Sequence, residues 1–337
     1  MFAENLKSMN LFTSVEMPAK LPQWSHRDGL MLLGSCFTTH IGKRLEACKF
    51  RCDTNPYGVL YNPLSIATAL KEIAGEKSYE KKDLYFAGGL WHSAMHHGDF
   101  SSSSADETLL RINSRLQRAS AEMHELTGLL LTWGTAWVYE EKDTGRVVGN
   151  CHKLPERTFV RRMLSVDEIV CEYDALLNRL WEQSPSLNIL FTISPIRHIR
   201  DGLHANQLSK ATLLLAVDTL QQRYPQRIAY FPAYELLIDE LRDYRFYAAD
   251  MVHPSEVAVE YIWQRLIEEV FSADTRKLMQ ECLEVEKMLE HKPFHPESEG
   301  YKRFLGQIVL KINQLNRKCP YLDFEIEREI CRTRLNI

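Results

Sequence analysis

The amino-acid sequence predicts a three-layer α/β/α sandwich around a mainly parallel sheet, with a helical extension at the carboxyl end. Three observations predict it. Short apolar runs at 30–34, 129–134, 188–195 and 227–235 are bounded by glycine or proline, and each has the length of a buried strand. Amphipathic segments of helical spacing stand between them, and that order folds as parallel strands covered on both faces. Beyond residue 273 the strand-like runs stop and charged amphipathic segments take over.

LMLLG (30–34) is the first strand, and Phe37, Ile41, Leu45 and Cys48 after it lie on one helical stripe. TNPYGVLYNP (54–63) has the Asn, Pro and Gly density of a structured loop. NPLSIATALKEIAG reads as a helix, EKSYEKKD (76–83) as a charged surface loop, and LYFAGGLWHSAMHHGDF (84–100) has no clean period. SSSSADE opens a helix over 105–126, and LLLTWG (129–134) is the second strand. TAWVYEEKDTGRVVGN predicts a hairpin turning at Asp143-Thr144-Gly145. Val166, Ile169, Val170, Tyr173, Leu176, Leu177 and Leu180 predict a helix over 165–183. NILFTISP (188–195) is the third strand, stopped by Pro195, and QLSKATLLLAVDTLQQRY is an amphipathic helix. RIAYFPAYE (227–235) is the fourth strand and ELLIDELRDY a helix. SEVAVEYIWQRLIEEVF (255–271) is a helix with Ser255 as N-cap and Glu256 in its first turn. DTRKLMQECLEVEKMLEHK and YKRFLGQIVLKINQLNRK, broken by PFHPESEG, predict a helical hairpin. The division expected is one domain over 1–272, with an inserted segment at about 76–128, and a helical extension over 273–337.

With 45% hydrophobic and 26% charged residues the chain has an ordinary soluble composition. Its formal charge of −4 gives no reason to expect nucleic acid or an anionic membrane. LLLAV at 213–217 is far too short to span a bilayer. The opening MFAENLKSMN lacks the basic segment and apolar core of a signal peptide. The eight cysteines form no CxxC pair and no zinc-finger spacing, so they read as reduced thiols. The expectation is a cytoplasmic protein without membrane insertion, cofactor or metal.

GSCF (34–37) sets a serine between strand and helix, at the sheet edge where open α/β folds bind ligands. The helix start offers free N–H groups to a developing oxyanion. Ser35 is there either as an N-cap or as a nucleophile in need of a base. Cys36, a better nucleophile intrinsically, competes with it, since consecutive residues point in different directions and only one can face a base. AADMVHPSE (248–256) places Asp250 three residues before His253. At that spacing the carboxylate can hold the imidazole in one tautomer, unless the segment is a plain turn into the helix. In WHSAMHHGD (91–99), His92 and His96 have the i, i+4 spacing of a zinc pair, with His97 and Asp99 nearby. The segment has no helical period and no HExxH glutamate, so a loop that sets His92 or His97 on a substrate oxygen is the better reading. His152, Arg197 and His198 lie in loops expected at the same edge, either as binders of carboxylate, phosphate or sugar hydroxyl or as plain surface residues.

GSCF, NPYGVLYNPLSIA, GLWHSAMHHGDF, TWGTAWVYE, VVGNCHKLP, TISPIRHIRDGLHANQLSKATLL and YFPAYELLIDELRDYRFYAADMVHPSEVAV together resemble the GSCFA family, of the SGNH or GDSL-like hydrolase group, over about residues 20–272. Thr38 stands where the family name has alanine. The resemblance implies an SGNH (flavodoxin-like) sheet with Ser35 as nucleophile, His253 as base and Asp250 as its partner, Cys36 then packing behind the sheet. It also implies an oxyanion hole built by the Ser35 and Gly58 amides. The group's third-strand asparagine is missing from Gly134-Thr135-Ala136-Trp137. Asn150, folded back by the 135–149 hairpin, is the substitute, with Asn55 the other amide in range. Trp137 joins the substrate-binding set. The implied activity is that of an esterase or acyltransferase on small acyl esters, carbohydrate esters among them. The alternatives are a binding protein on a catalytically decayed scaffold and a metal hydrolase centred on the histidine cluster.

Overall fold

Five parallel strands form the centre of the computed structural model, which describes residues 13–335. The opening segment MFAENLKSMN lies outside the described residues. Along the chain, β1 (Gly29–Gly34) leads through Ser35 into α1 (Cys36–Ala47), then β2 (Arg51–Thr54) and α2 (Pro63–Ala74). A hairpin of β3 (Leu84–Ala87) and β4 (Leu90–Ser93) precedes α3 (Ala105–Glu122) and β5 (Leu126–Trp133). Then come β6 (Trp137–Glu141), β7 (Phe159–Met163), α4 (Val166–Gln183), β8 (Asn188–Ile193), α5 (Leu203–Arg223) and β9 (Ile228–Phe231). α6 (Glu256–Val270) returns to the core, and α7 (Ala273–Glu290), α8 (Glu299–Lys318) and α9 (Glu325–Leu335) form the extension.

The sheet order is β2-β1-β5-β8-β9, with Leu33 beside Leu131, Leu131 beside Phe191 and Phe191 beside Tyr230. Alternation along each strand splits the core. Met31, Leu33, Leu129, Leu131 and Phe191 pack under α2, α4 and α5, while Leu30, Leu32, Leu130 and Leu190 pack under α1 and α6. Burial on both faces is why these strands read as unbroken apolar runs, and each buried leucine contributes about 1.5–3 kcal/mol. Gly34 lets the end of β1 touch β5, since a Cβ there would lie 2.3 Å from the Thr132 carbonyl oxygen.

One local expectation is corrected and one is extended. The segment 84–100 without a period contains the β3–β4 hairpin, turned by Gly88 and Gly89 at φ +56° and +83°, a backbone that a two-residue turn demands and glycine accepts freely. The turn at Asp143-Thr144-Gly145 does form, with Glu141 N–H donating to Arg146 O at 2.9 Å. The returning chain also bridges β6 antiparallel at Glu140–Val147, with Val148 N–H donating to Tyr139 O at 2.9 Å, and β6 has in addition the distant β7 as partner, in antiparallel register from Trp137–Met163 to Glu141–Phe159.

The extension has three helices rather than the expected two. Its core of Cys282, Val285, Leu305, Ile308, Ile312 and Phe324 is its own. It docks beside the start of β2, at the amino edge of the sheet, through Lys49–Glu327 at 2.5 Å and Arg27 over the Tyr321 ring at 5.2 Å. No helix among the described residues is long and apolar enough to cross a membrane. The eight cysteines are free thiols.

Candidate active site

The β1–α1 turn sits at the carboxyl edge, and its two polar residues part company. Ser35 is fully buried and donates its hydroxyl to Ser194 Oγ at 3.0 Å, at the end of β8. It occupies the N-cap position of α1 but its side chain caps no N–H. In this arrangement the hydroxyl faces Ser194 and Ser35 does not line the cavity that holds Cys36 and His253, against the expectation of a serine facing His253. Cys36, the first residue of α1, does not pack behind the sheet. It lines an open cavity of about 710 Å³, with its Sγ 3.6 Å from the hydroxyl of Tyr61. Tyr61 is fixed from behind, its carbonyl accepting from Gly134 N–H at 2.8 Å and Thr135 N–H at 3.0 Å.

His253 lines the same cavity. Its Nδ1 meets Asp250 Oδ2 at 2.6 Å, and the other carboxylate oxygen accepts from the backbone N–H groups of Val252 at 2.9 Å and His253 at 3.0 Å. These bonds, the His253 N–H first, hold the Asp250 carboxyl down to about 2, so it stays an acceptor and keeps the proton on Nδ1. The loop is braced by Ala248 N–H to His253 O at 2.8 Å and Arg197 N–H to Val252 O at 3.1 Å. Both side chains are half exposed, at 50% each.

Asn150 also lines the cavity, brought there by the chain that returns from β6. Its backbone N–H and that of Gly149 both donate to Ala94 O at 2.9 Å. Its Oδ1 accepts from His152 N–H at 2.9 Å, which leaves the amide NH₂ as the free end. Trp137, Arg197 and His198 also line this wall. Burial pushes His198 down to about 3, so its ring is neutral.

The remaining expected residues do other work. Gly58 does not line the cavity, and its N–H donates to Asn55 O at 2.8 Å, so it is not an oxyanion donor. Asn55, at φ +47°, is not a substrate ligand: its Oδ1 accepts from Gly34 N–H at 2.9 Å and its Nδ2 donates to Thr39 Oγ1 at 3.0 Å, which ties down the β1–α1 turn. His92 is buried between Ser101 Oγ at 2.7 Å and the Ala87 carbonyl at 3.1 Å. His152 bonds to the Ser93 carbonyl at 2.9 Å and packs on His92, with ring centroids 4.4 Å apart. His97 faces Asp99 at 3.0 Å, away from the cavity. His96 stacks on Tyr57 at 4.2 Å, and burial holds it at about 3. The four do not converge, and no group of three or more metal-ligating side chains occurs among the described residues.

Lys210 was invisible as a site residue in the sequence because it sits in an ordinary amphipathic helix. Its Nζ is buried, donating to Gly134 O and Ser194 O at 2.7 Å each. It thus ties together the ends of β5 and β8, and desolvation lowers it to about 7.

A family model described as the GSCFA family matches residues 29–266. The chain belongs to the GSCFA family. A second model, described as GSCFA domain protein, C-terminal domain, matches residues 282–337 and so covers most of the helical extension. No curated protein matches the chain. Among solved structures, a candidate platelet activating factor from Streptococcus pneumonia is 11% identical with a TM-score of 0.37, over 73% of this chain and 85% of its own. A carbohydrate esterase family 3 protein from Talaromyces cellulolyticus is 12% identical with a TM-score of 0.34, over 76% of this chain and 99% of its own. At these scores the likenesses carry no argument. The fold of this GSCFA protein rests on its own five-stranded sheet.

Proposed function

We propose that this GSCFA protein is an acyl-transferring hydrolase of the SGNH kind with a thiol in the nucleophile's place: Cys36 attacks, His253 is the base and Asp250 orients it. The observation that carries the reading is that Cys36, His253 and Asn150 line one cavity while Ser35 is sealed behind them.

His253 takes the Cys36 proton and the thiolate adds to the acyl carbon. The oxyanion that forms is held by the Asn150 amide and by the free N–H groups at the start of α1, the Cys36 amide replacing that expected of Ser35. His253, charged at this point and steadied by Asp250, returns the proton to the leaving alkoxide as the carbon–oxygen bond breaks. A thioester on Cys36 remains. Water, or an acceptor hydroxyl, then attacks with His253 taking its proton, and the thiol leaves with it. The substrate is a small acyl ester, and a carbohydrate ester fits the same chemistry.

Incubation with 4-nitrophenyl butyrate followed by mass spectrometry tests this. An acyl adduct on the peptide carrying Cys36 is expected, with hydrolysis lost in Cys36→Ala and retained in Ser35→Ala. Undiminished turnover by Cys36→Ala would sink the reading.

A further inference from the structure

Arg197 is held in place by an aromatic stack and a backbone bond, yet its side-chain donors have no acceptor among the described residues. It lines the main cavity and also an adjoining one of about 330 Å³, shared with Asn206, Gln207 and Arg242. Its backbone is fixed by the bond to Val252 O, one residue from His253. Its guanidinium lies 4.0 Å over the Tyr247 ring and 5.6 Å over Tyr244. Among the described residues no carboxylate pairs with it and no side-chain hydrogen bond uses its donors. The other two arginines of the main cavity have carboxylate partners, Arg161 in Asp201 and Arg200 in Glu156. A half-buried guanidinium whose donors go unused loses hydration for nothing, unless a ligand supplies the acceptor.

The adjoining cavity offers what such an acceptor needs. Arg242 is likewise without a carboxylate partner among the described residues. Asn206, itself buried, uses its Oδ1 on His198 N–H at 2.9 Å and Gln207 uses its Oε1 on the Tyr234 hydroxyl at 2.7 Å, so each keeps an NH₂ group without a partner among the described residues on the cavity wall. The one carboxylate there, Asp243, accepts from Arg245 N–H at 2.9 Å. Donors therefore outnumber acceptors at the junction, and the fixed charge is positive.

We infer that Arg197, with Arg242 on the wall of the same adjoining cavity, is an anion-binding arm of the site, and that the natural substrate carries a carboxylate or phosphate beyond its scissile acyl carbon. This rests on the proposed reading of Cys36 and His253. The planar fork of Arg197 suits two-point binding of either anion, and the tyrosine beneath keeps it aimed.

The test compares kcat/KM for 4-nitrophenyl butyrate with that for mono-4-nitrophenyl glutarate and for a phosphate-bearing ester of the same length. The wild type should prefer at least one anionic ester. Arg197→Gln should cut the anionic-to-neutral ratio by about 10- to 100-fold, the range of one charged hydrogen-bonding contact, and Arg197→Lys should restore part of it. The better of the two anionic esters identifies the group. A second readout is independent of turnover: protection of Cys36 from iodoacetamide by glutarate or by inorganic phosphate, with a neutral diol as control. If no ester is hydrolysed but an anion protects Cys36 and Arg197→Gln abolishes the protection, the hydrolase reading fails and the anion arm stands. If esters are hydrolysed with no charge preference and neither anion protects, the arm is overturned and the hydrolase stands.

Discussion

The two edges of the sheet are made of the same strands yet are built to opposite rules. At the amino edge, where the helical extension docks, the charges are matched: Lys49 with Glu327, and Arg51 with Glu125 at 2.5 Å. At the carboxyl edge a thiol, an amide and a guanidinium are left facing a cavity. Backbone strain gathers at the carboxyl edge without being confined to it. Asn55, His152, Lys153, Arg242 and Met251, all in loops around the site, hold left-handed φ between +44° and +59°, a conformation that non-glycine residues adopt at a cost of order 1–3 kcal/mol each. Lys49, of the amino-edge ion pair, and Glu76 are the other non-glycine residues with positive φ among the described residues. The amino edge also has a cavity, of about 460 Å³, but Lys49, Arg51, Glu125 and Glu327 on its wall are paired with one another, so the two edges differ in how their polar groups are used and not in being open or closed.

The contrast predicts which substitutions touch activity and which touch stability. His253→Ala should lower kcat by about 10²–10⁴, the usual share of a general base, with the thermal midpoint unmoved; a loss below tenfold in an ester assay would remove His253 from the chemistry. Asn150→Ala should cost about 10²–10³ in kcat, as for one oxyanion donor, while Asn150→Asp should not recover it. At the other edge, Glu327→Gln should destabilise by about 1–3 kcal/mol and leave kcat/KM alone; denaturant titration and the same ester assay would show whether the edges are as separate as they look.

Acid should then act through the buried histidines. His96 and His198 are held near 3 in the folded state against the usual 6.5. Between those values the unfolded chain binds protons that the folded chain refuses. Their contribution is therefore whole above about pH 6.5 and is lost as the pH falls toward 3, by up to about 1.4 kcal/mol per pH unit for each group. Urea midpoints at pH 7 and pH 5 should show the fall, and His96→Gln should flatten it. Smallest of all, Ser35→Ala should cost about 1 kcal/mol through the lost bond to Ser194, with kcat within twofold. A hundredfold loss there would return the serine to the centre of the chemistry.

Much of the scaffold was legible because burial on two faces writes itself as apolar runs, and helices as 3.6-residue stripes. LMLLG, LLLTWG and NILFTISP all became central strands. The Asp250–His253 pair was legible too, being three residues apart on one loop, and so was the fold-back of Asn150. What the pattern does not carry is angular. Ser35 and Cys36 are neighbours at a strand-to-helix corner, and along a helix each residue turns about 100° from the last. No local pattern says which of the two faces out. The answer lies in the Ser194 hydroxyl, 159 residues away in sequence. His92, His97 and His152 failed for a related reason, since histidine carries the same letter whether it braces a hairpin or meets a substrate. The β6–β7 pairing escaped because its partner lies beyond a whole loop rather than beyond the nearest turn.

Lys210 has one more consequence. An amine held near neutrality is reactive toward acylating reagents, yet this one is walled in between two strand ends. Reagent reaches it only in molecules whose β5 and β8 ends have parted. Slow labelling of that single lysine under native conditions would therefore act as a clock, counting how often the floor of the site breathes open.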